Sequence, residues 1–495
     1  MTSVILDSGP IIGRTHDVPD SASVFYFGDV PYAQARRFGL PDRVEPWSAT
    51  RDCTRPGPLP PQRTEGLELV PGMTVGETDE QCLTAEVWTP STSGTRPILV
   101  WIPGGSFRVG GAALATYDGR RLAADGDMVV VGLNYRLGLL GFLNAPGVPS
   151  NLGLRDVLAA LDWIRANAEA FGGDPQRIVL LGESAGAGAI YHLLTRPDLA
   201  AAGAIVFSGS PTMTQTSATA AHVAETVLRL AGVASAAGLA ETSVETLLDI
   251  QAIAVNDLAR TVGMMPFHPW VDGDVVPSSP LAAAAADRLT AIPLVIATTA
   301  DEMELFRPMV PVLPRPHAVS LLGVKAAALG IDAAGVERGL GACDDDLVTA
   351  IADIDLQLPA LLIAESHARR GLPVWRASFT WQSAAYRACH ALDLPFHFGT
   401  FDVDEWSAFA ALTSAFAALT VDDGSEREGV SRRQVAEKLS GQMRASWGAF
   451  ARTGVPACEP IGDWPAFDGG SSVVELGEVV GVVRDAGFGR LRSWR

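Results

Sequence analysis

The chain predicts an α/β fold, a mostly parallel central sheet flanked by helices on both faces. Two observations carry this. Short, continuous apolar runs rich in β-branched residues recur along the sequence, and stretches with apolar residues at helical spacing lie between them. A strand without polar alternation is buried on both faces, and helices packed above and below supply that burial.

The elements follow in order. ILVWI (98–102) and MVVVGLNY (128–135) read as buried strands. Leu154, Val157, Leu158, Leu161, Ile164 and Phe171 then fall at helical spacing, with Asn151 as N-cap and GGDP (172–175) as the stop. RIVLL (177–181), AIVFSG (204–209), PLVIATT (293–299) and VWRASFTWQ (374–382) continue the strand series. DDGSEREG (422–429) reads as an exposed acidic loop. After it, Val435, Leu439, Met443 and Phe450 mark an amphipathic helix. No repeat, linker or composition break divides the chain, so a single domain over 1–495 with large loop and helical insertions is expected.

The totals narrow the function. Apolar residues make up 48% of the 495 and charged residues 19%, enough for a large core. The formal net charge of −19 repels phosphate backbones and anionic lipid, which argues against nucleic-acid and membrane partners. The first residues, MTSVILDSGP, show no signal-peptide pattern, and no continuous apolar run reaches the ~18 residues that span a bilayer. The five cysteines form no CxxC pair, so neither a zinc site nor a disulfide framework is indicated. Reduced thiols in a cytoplasm are the expectation, with no metal and no cofactor.

Gly182-Glu183-Ser184-Ala185-Gly186 follows the strand RIVLL directly and leads into the helix-like run AGAGAIYHLLT. This is a G-x-S-x-G elbow in strand–turn–helix context. The tight turn needs small residues two before and two after the serine. The helix N-terminus behind it offers free N–H groups to a developing oxyanion. Ser184 is thus the candidate nucleophile.

The segment GLRDVLAALDWIRANAEAFGGDPQRIVLLGESAGAGA (153–189) resembles the signature region of type-B carboxylesterases, close in character to bacterial p-nitrobenzyl esterases. Further blocks match in order along almost the whole chain: GDVPYAQARRF (28–38), CLTAEVWTP (82–90), YDGRRLA (117–123), NYRLGLLGF (134–142), WGAFARTGVP (447–456) and WPAF (464–467). The resemblance implies the α/β-hydrolase fold and hydrolysis of small-molecule carboxylic esters through an acyl-enzyme. Amide or carbamate hydrolysis at the same residues, or a non-catalytic binding member of the fold, are the alternatives. The oligomeric state stays open.

A serine hydroxyl needs an imidazole to take its proton. Of the eight histidines, His16 precedes Ser184, and His192 and His222 follow it too closely for an acid-bearing strand to intervene. RACHALDLPFHFGTFD (387–402) resembles the family's histidine loop and points to His390; His397 falls where the family has an apolar residue and reads as core-facing. In PLVIATTADEMELF (293–306) the family's strand–DE pattern makes Glu302 the acid and Asp301 a solvated or locally capping carboxylate. An imidazole base in such a loop should govern kcat/KM near ~6–7.

WIPGGSF (101–107) resembles the family's oxyanion loop, usually HGGGF. By position its donors are the N–H groups of Gly105 and Ser106, with that of Ala185 after the nucleophile. Pro103 replaces the usual His and Ser106 the last Gly. Glu183 and Ser208 match positions supporting the site, and Arg37 with Glu80 matches a structural ion pair. Cys82 matches a family cysteine whose disulfide partner position is Pro60 here. No Trp lies between Gln62 and Cys82, so an aromatic site for quaternary ammonium is not supported. Phe107, Met213, Met264, Met265, Phe267 and Phe306 are the candidate pocket lining, an apolar, Met-rich surface suited to uncharged, flexible substrates.

Overall fold

The strands read from the apolar runs form the middle of a 13-stranded sheet. The structure is a computed structural model and describes residues 1–63, 76–383, 386–401, 431–485 and 487–495. The acidic stretch 422–429 lies outside the described residues.

From one edge the sheet runs Thr2–Ile5, Pro10–His16, Val24–Pro31, Thr84–Thr89, Val129–Leu133, Arg96–Ile102 and Gly173–Glu183. It continues through Gly203–Phe207, Leu294–Thr299, Val374–Phe379 and Ser472–Leu476 to Gly481–Arg484. Every neighbouring pair from Val129–Leu133 to Ser472–Leu476 is parallel. The other pairs along this order are antiparallel, and the short strand Arg51–Asp52 pairs parallel with Pro10–His16 beside it. Val129–Leu133, Gly203–Phe207 and Leu294–Thr299 are buried at every position, which is why their sequences do not alternate.

Successive side chains of a strand point to opposite faces, and each face has its own core. Ile98, Val100 and Ile102 pack on one side with Leu154, Val157 and Leu161 of the helix Leu152–Asn167. Leu99 and Trp101 pack on the other with Leu439, Met443, Trp447 and Phe450 of the helix Arg432–Thr453. Each such buried side chain stabilises the fold by about 1.5–3 kcal/mol in transfer terms. A capping box between Ser431 and Gln434 starts the latter helix.

The cap expected at Asn151 is different. Asn151 occupies the N-cap position, but with φ +50° and no side-chain cap. Its amide instead donates to Trp270 O at 2.9 Å and Asp272 Oδ2 at 2.8 Å and accepts from Trp270 N at 3.1 Å, tying the helix start to that loop. The expected insertions are helical. Ser217–Ala231 and Val244–Leu258 precede the strand Leu294–Thr299; Arg315–Ala327, Ala333–Ala342 and Leu358–Arg369 follow it. Among the described residues one helical stretch, Leu347–Arg369, is long and apolar enough to cross a membrane, although no single run in it is continuous. Most of it is buried inside the protein, so core packing uses that apolarity.

Candidate active site

Parallel strands bring their C-terminal ends to one edge, and there the loops after four of them meet. Ser184 follows Gly173–Glu183, Glu302 follows Leu294–Thr299, His390 follows Val374–Phe379 and Gly105 follows Arg96–Ile102.

Ser184 has φ +53° and ψ −123°, a conformation that costs on the order of 1–3 kcal/mol for a residue with a side chain. Its N–H donates to Phe207 O at 3.0 Å, and the helix Ala185–Leu193 starts at the next residue. The flanking glycines are required sterically. A Cβ on Gly182 would sit 2.6 Å from the Gly186 carbonyl carbon, and one on Gly186 would sit 1.9 Å from Ile102 O.

The structure brings Ser184, His390 and Glu302 into one hydrogen-bonded chain. His390 Nε2 lies 2.9 Å from Ser184 Oγ, and Nδ1 lies 2.8 Å from Glu302 Oε2. Glu302 is fully buried, and its Oε1 accepts from Thr299 N at 2.8 Å. A carboxylate facing Nδ1 places the proton there and leaves Nε2 free to accept from the serine hydroxyl. Asp301 does something else. It accepts from Ala388 N and Gln382 Nε2, each at 3.3 Å, and pairs with Arg387 at 3.3 Å. With Asp301 N on Ala388 O at 3.0 Å and His390 N on Glu302 O at 3.2 Å, the acid loop and the histidine loop are joined backbone to backbone. This bracing role of Asp301 carries no signature in the sequence.

His397 faces the core, as expected. Its Nε2 lies 2.9 Å from Asp393 Oδ2, and its Nδ1 accepts from Trp447 Nε1 at 3.1 Å. Glu183 is buried, with Oε1 3.3 Å from His390 Nε2. Burial pulls the His390 imidazole down, but the Glu183 and Glu302 carboxylates outweigh it and draw it up to about 9. Burial in turn pushes the Glu183 carboxyl up to about 8. The two groups lie close enough to titrate as a pair. Glu183 Oε1 and Ser208 Oγ are buried without a hydrogen-bond partner among the described residues.

The loop after Arg96–Ile102 keeps a glycine-like path through a serine: φ is +110° at Gly105, +57° at Ser106 and +56° at Phe107. Arg108 N and Val109 N both close the turn onto Gly105 O at 3.0 Å. Among the described residues the N–H groups of Gly105 and Ser106 meet no protein acceptor. Ala185 N–H opens its helix and has no acceptor within it. A Cβ on Gly104 would lie 3.0 Å from Ser184 Cβ, so this loop passes directly over the serine.

The expected pocket lining divides. The Phe306 ring lies 5.9 Å from the His390 ring, and Met213 is half-buried against the core. Phe107 and Phe267 are core residues, Phe107 stacked edge-on to Phe142 at 5.1 Å. Met264 and Met265 are more open, 51% and 40% exposed. Arg37 and Glu80 form the expected ion pair, and Arg37 also holds Ala240 O at 3.0 Å. All five cysteines are unpaired and buried.

Comparison with known proteins agrees with this architecture. The model of the carboxylesterase family matches residues 1–318. The chain is 33% identical over 464 residues to the para-nitrobenzyl esterase of Bacillus subtilis (strain 168), covering 88% of each chain. It is 30% identical over 462 residues to the fumonisin B1 esterase of Sphingopyxis macrogoltabida, covering 90% of this chain and 81% of that one. A thermophilic PNB esterase structure superposes with a TM-score of 0.84 at 28% identity, covering 100% of this chain and 99% of the other. The fold is thus the α/β-hydrolase fold, and the protein is a carboxylic ester hydrolase. The chain belongs to the carboxylesterase family.

Proposed function

We propose that the protein hydrolyses small-molecule carboxylic esters through an acyl-enzyme on Ser184, with His390 as general base and acid and Glu302 orienting the imidazole. The observation that carries this reading is the continuous chain Ser184 Oγ–His390 Nε2 (2.9 Å) and His390 Nδ1–Glu302 Oε2 (2.8 Å). Ser184 Oγ adds to the ester carbonyl while His390 Nε2 takes its proton. The N–H groups of Gly105, Ser106 and Ala185 receive the negative oxygen, and the buried Glu302 stabilises the imidazolium. His390 then gives the proton to the departing alcohol. Water repeats the sequence on the acyl-enzyme and releases the acid and the free serine. No step calls for a metal or a cofactor. A reducing compartment such as the cytoplasm is part of this proposal, supported by the five unpaired thiols.

A fluorophosphonate should label Ser184 stoichiometrically by intact and peptide mass. Ser184→Ala should lower kcat by ~10⁴-fold or more while the protein folds normally. An adduct on another serine, or an active Ser184→Ala protein, would end the proposal.

A further inference from the structure

The proposed acid is held by more than the histidine. Glu302 Oε1 accepts from Thr299 N at 2.8 Å, so the last residue of the strand Leu294–Thr299 decides which carboxylate oxygen is left to face His390. One side chain in turn grips that end of the strand. Gln357 Nε2 donates to Thr299 O at 2.8 Å, and Gln357 Oε1 accepts from Thr298 Oγ1 at 2.9 Å. Thr298, Thr299, Glu302 and Gln357 are all buried, so bulk water does not replace these bonds. An amide withdrawn from them leaves stranded donors and acceptors.

The local backbone explains how Gln357 comes to lie there. The helical stretch Leu347–Arg369 is interrupted by a wider turn at Asp353–Gln357, in which Leu358 N reaches back five residues to Asp353 O. Pro359 follows. In an uninterrupted α-helix the N–H of residue 359 would bond to Asp355 O, and proline has none. The freed Asp355 O accepts from Ser210 Oγ at 2.6 Å, in the loop after the strand Gly203–Phe207. Side chains pin the same turn. Lys325 Nζ donates to Asp355 Oδ2 at 2.7 Å, and Asp353 Oδ2 accepts from Arg490 Nε at 2.9 Å and Trp494 Nε1 at 3.0 Å. An extra residue in a helical turn re-aims the side chains around it, and such turns concentrate at functional sites.

We propose that Gln357 is a positioning residue for the triad acid: through Thr299 it sets the Glu302 carboxylate against His390 Nδ1. This rests on the reading of Glu302 as the acid. Among the described residues Gln357 makes no hydrogen bond to Ser184 or His390, so its effect on the chemistry passes through Glu302.

Kinetic masking with p-nitrophenyl butyrate tests this. Gln357→Met keeps the size of the side chain and removes both bonds. It should lower kcat by on the order of tenfold to a hundredfold, the loss that a misplacement of about 1 Å brings, with KM held within about twofold. Glu302→Ala removes the group to be positioned. On that background Gln357→Met should change kcat by less than about threefold, because residues that act as a unit do not add. Unchanged kcat in Gln357→Met overturns the proposal, since the two bonds then carry nothing. Losses that multiply in the double variant overturn it too, since Gln357 then supports the fold at large. Should Gln357→Met fail to fold, Thr298→Val removes one of the two bonds at similar size; it should cost about threefold to tenfold in kcat and be masked in the same way, and the same two results overturn the proposal. A Glu302→Ala protein that keeps most of its activity ends the reading of Glu302 as the acid, and this inference with it. One that loses its activity while Gln357→Met keeps it ends this inference alone.

Discussion

Glu183→Gln should move the pH dependence of the enzyme downward. Glu183 Oε1 lies 3.3 Å from His390 Nε2, and both groups are shielded from solvent. At an effective dielectric of ~20, two unit charges that close interact by about 5 kcal/mol. His390 at about 9 stands above its ordinary 6.5, because the carboxylates beside it favour the imidazolium. Burial opposes that rise; the Glu183 charge, with the Glu302 hydrogen bond and charge, drives it. The sign follows from the role. His390 must be neutral to take the serine proton, so kcat/KM rises with pH through its ionisation. Glutamine keeps the shape of the side chain and removes the charge. The midpoint should therefore fall by about one unit or more, and activity should extend to lower pH. The same carboxylate stabilises the imidazolium in the transition state, so the high-pH plateau should drop by about tenfold. Initial rates with p-nitrophenyl butyrate from pH 5 to 10 give both quantities. A midpoint that stays put or rises in the variant would refute the argument.

Two further outcomes test neighbouring positions. Glu302→Gln should lower kcat by ~10³-fold or more, because the Nδ1 proton loses its buried acceptor; Asp301→Asn keeps an acceptor for Ala388 N and should cost under ~10-fold, and the reverse ranking in steady-state kinetics would reassign the acid. Ser106→Gly should relieve about 1 kcal/mol of left-handed strain, seen as a small rise in Tm, and raise the tert-butyl to n-butyl acetate rate ratio by about tenfold by removing a Cβ beside the alcohol side of the ester; an unchanged ratio would show that Ser106 does not gate that space.

The central sheet was legible because its strands are buried on both faces. Val129–Leu133 and Leu294–Thr299 are apolar throughout, and that composition is itself the signal. The elbow was legible because its glycines answer to sterics that no other residue satisfies, as Gly186 against Ile102 O shows. Antiparallel strands near the start of the chain, such as Pro10–His16, carry no such signal. They are partly exposed and carry Gly, Arg, Thr and His, so no apolar run marks them. The choice of Glu302 over Asp301 came from resemblance, since two adjacent carboxylates after a strand look alike. Only the three-dimensional path separates them: one is fully buried on His390, the other sits at the mouth of the loop on Ala388. The pocket was the least legible part. Met264 and Met265 have the chemistry of a lining, but exposure depends on loop course, which apolarity does not encode.

The departures from the family pattern turn out to be met one by one rather than tolerated as defects. Pro103 stands where a histidine is usual. A proline has no N–H to offer, but its carbonyl still accepts from the Tyr135 hydroxyl at 2.8 Å, which anchors the start of the loop. Ser106 takes the left-handed backbone of the glycine it replaces, so the N–H groups over Ser184 keep their direction at the cost of local strain. His397 brings a polar ring to a fully buried position, where an unpartnered imidazole would cost about 1–3 kcal/mol for each stranded group. Both of its nitrogens are engaged, one by Asp393 and one by Trp447, and the Phe207 ring meets its edge at 4.5 Å. Each substitution preserves what the local chemistry needs: a donor direction, an acceptor or a satisfied ring.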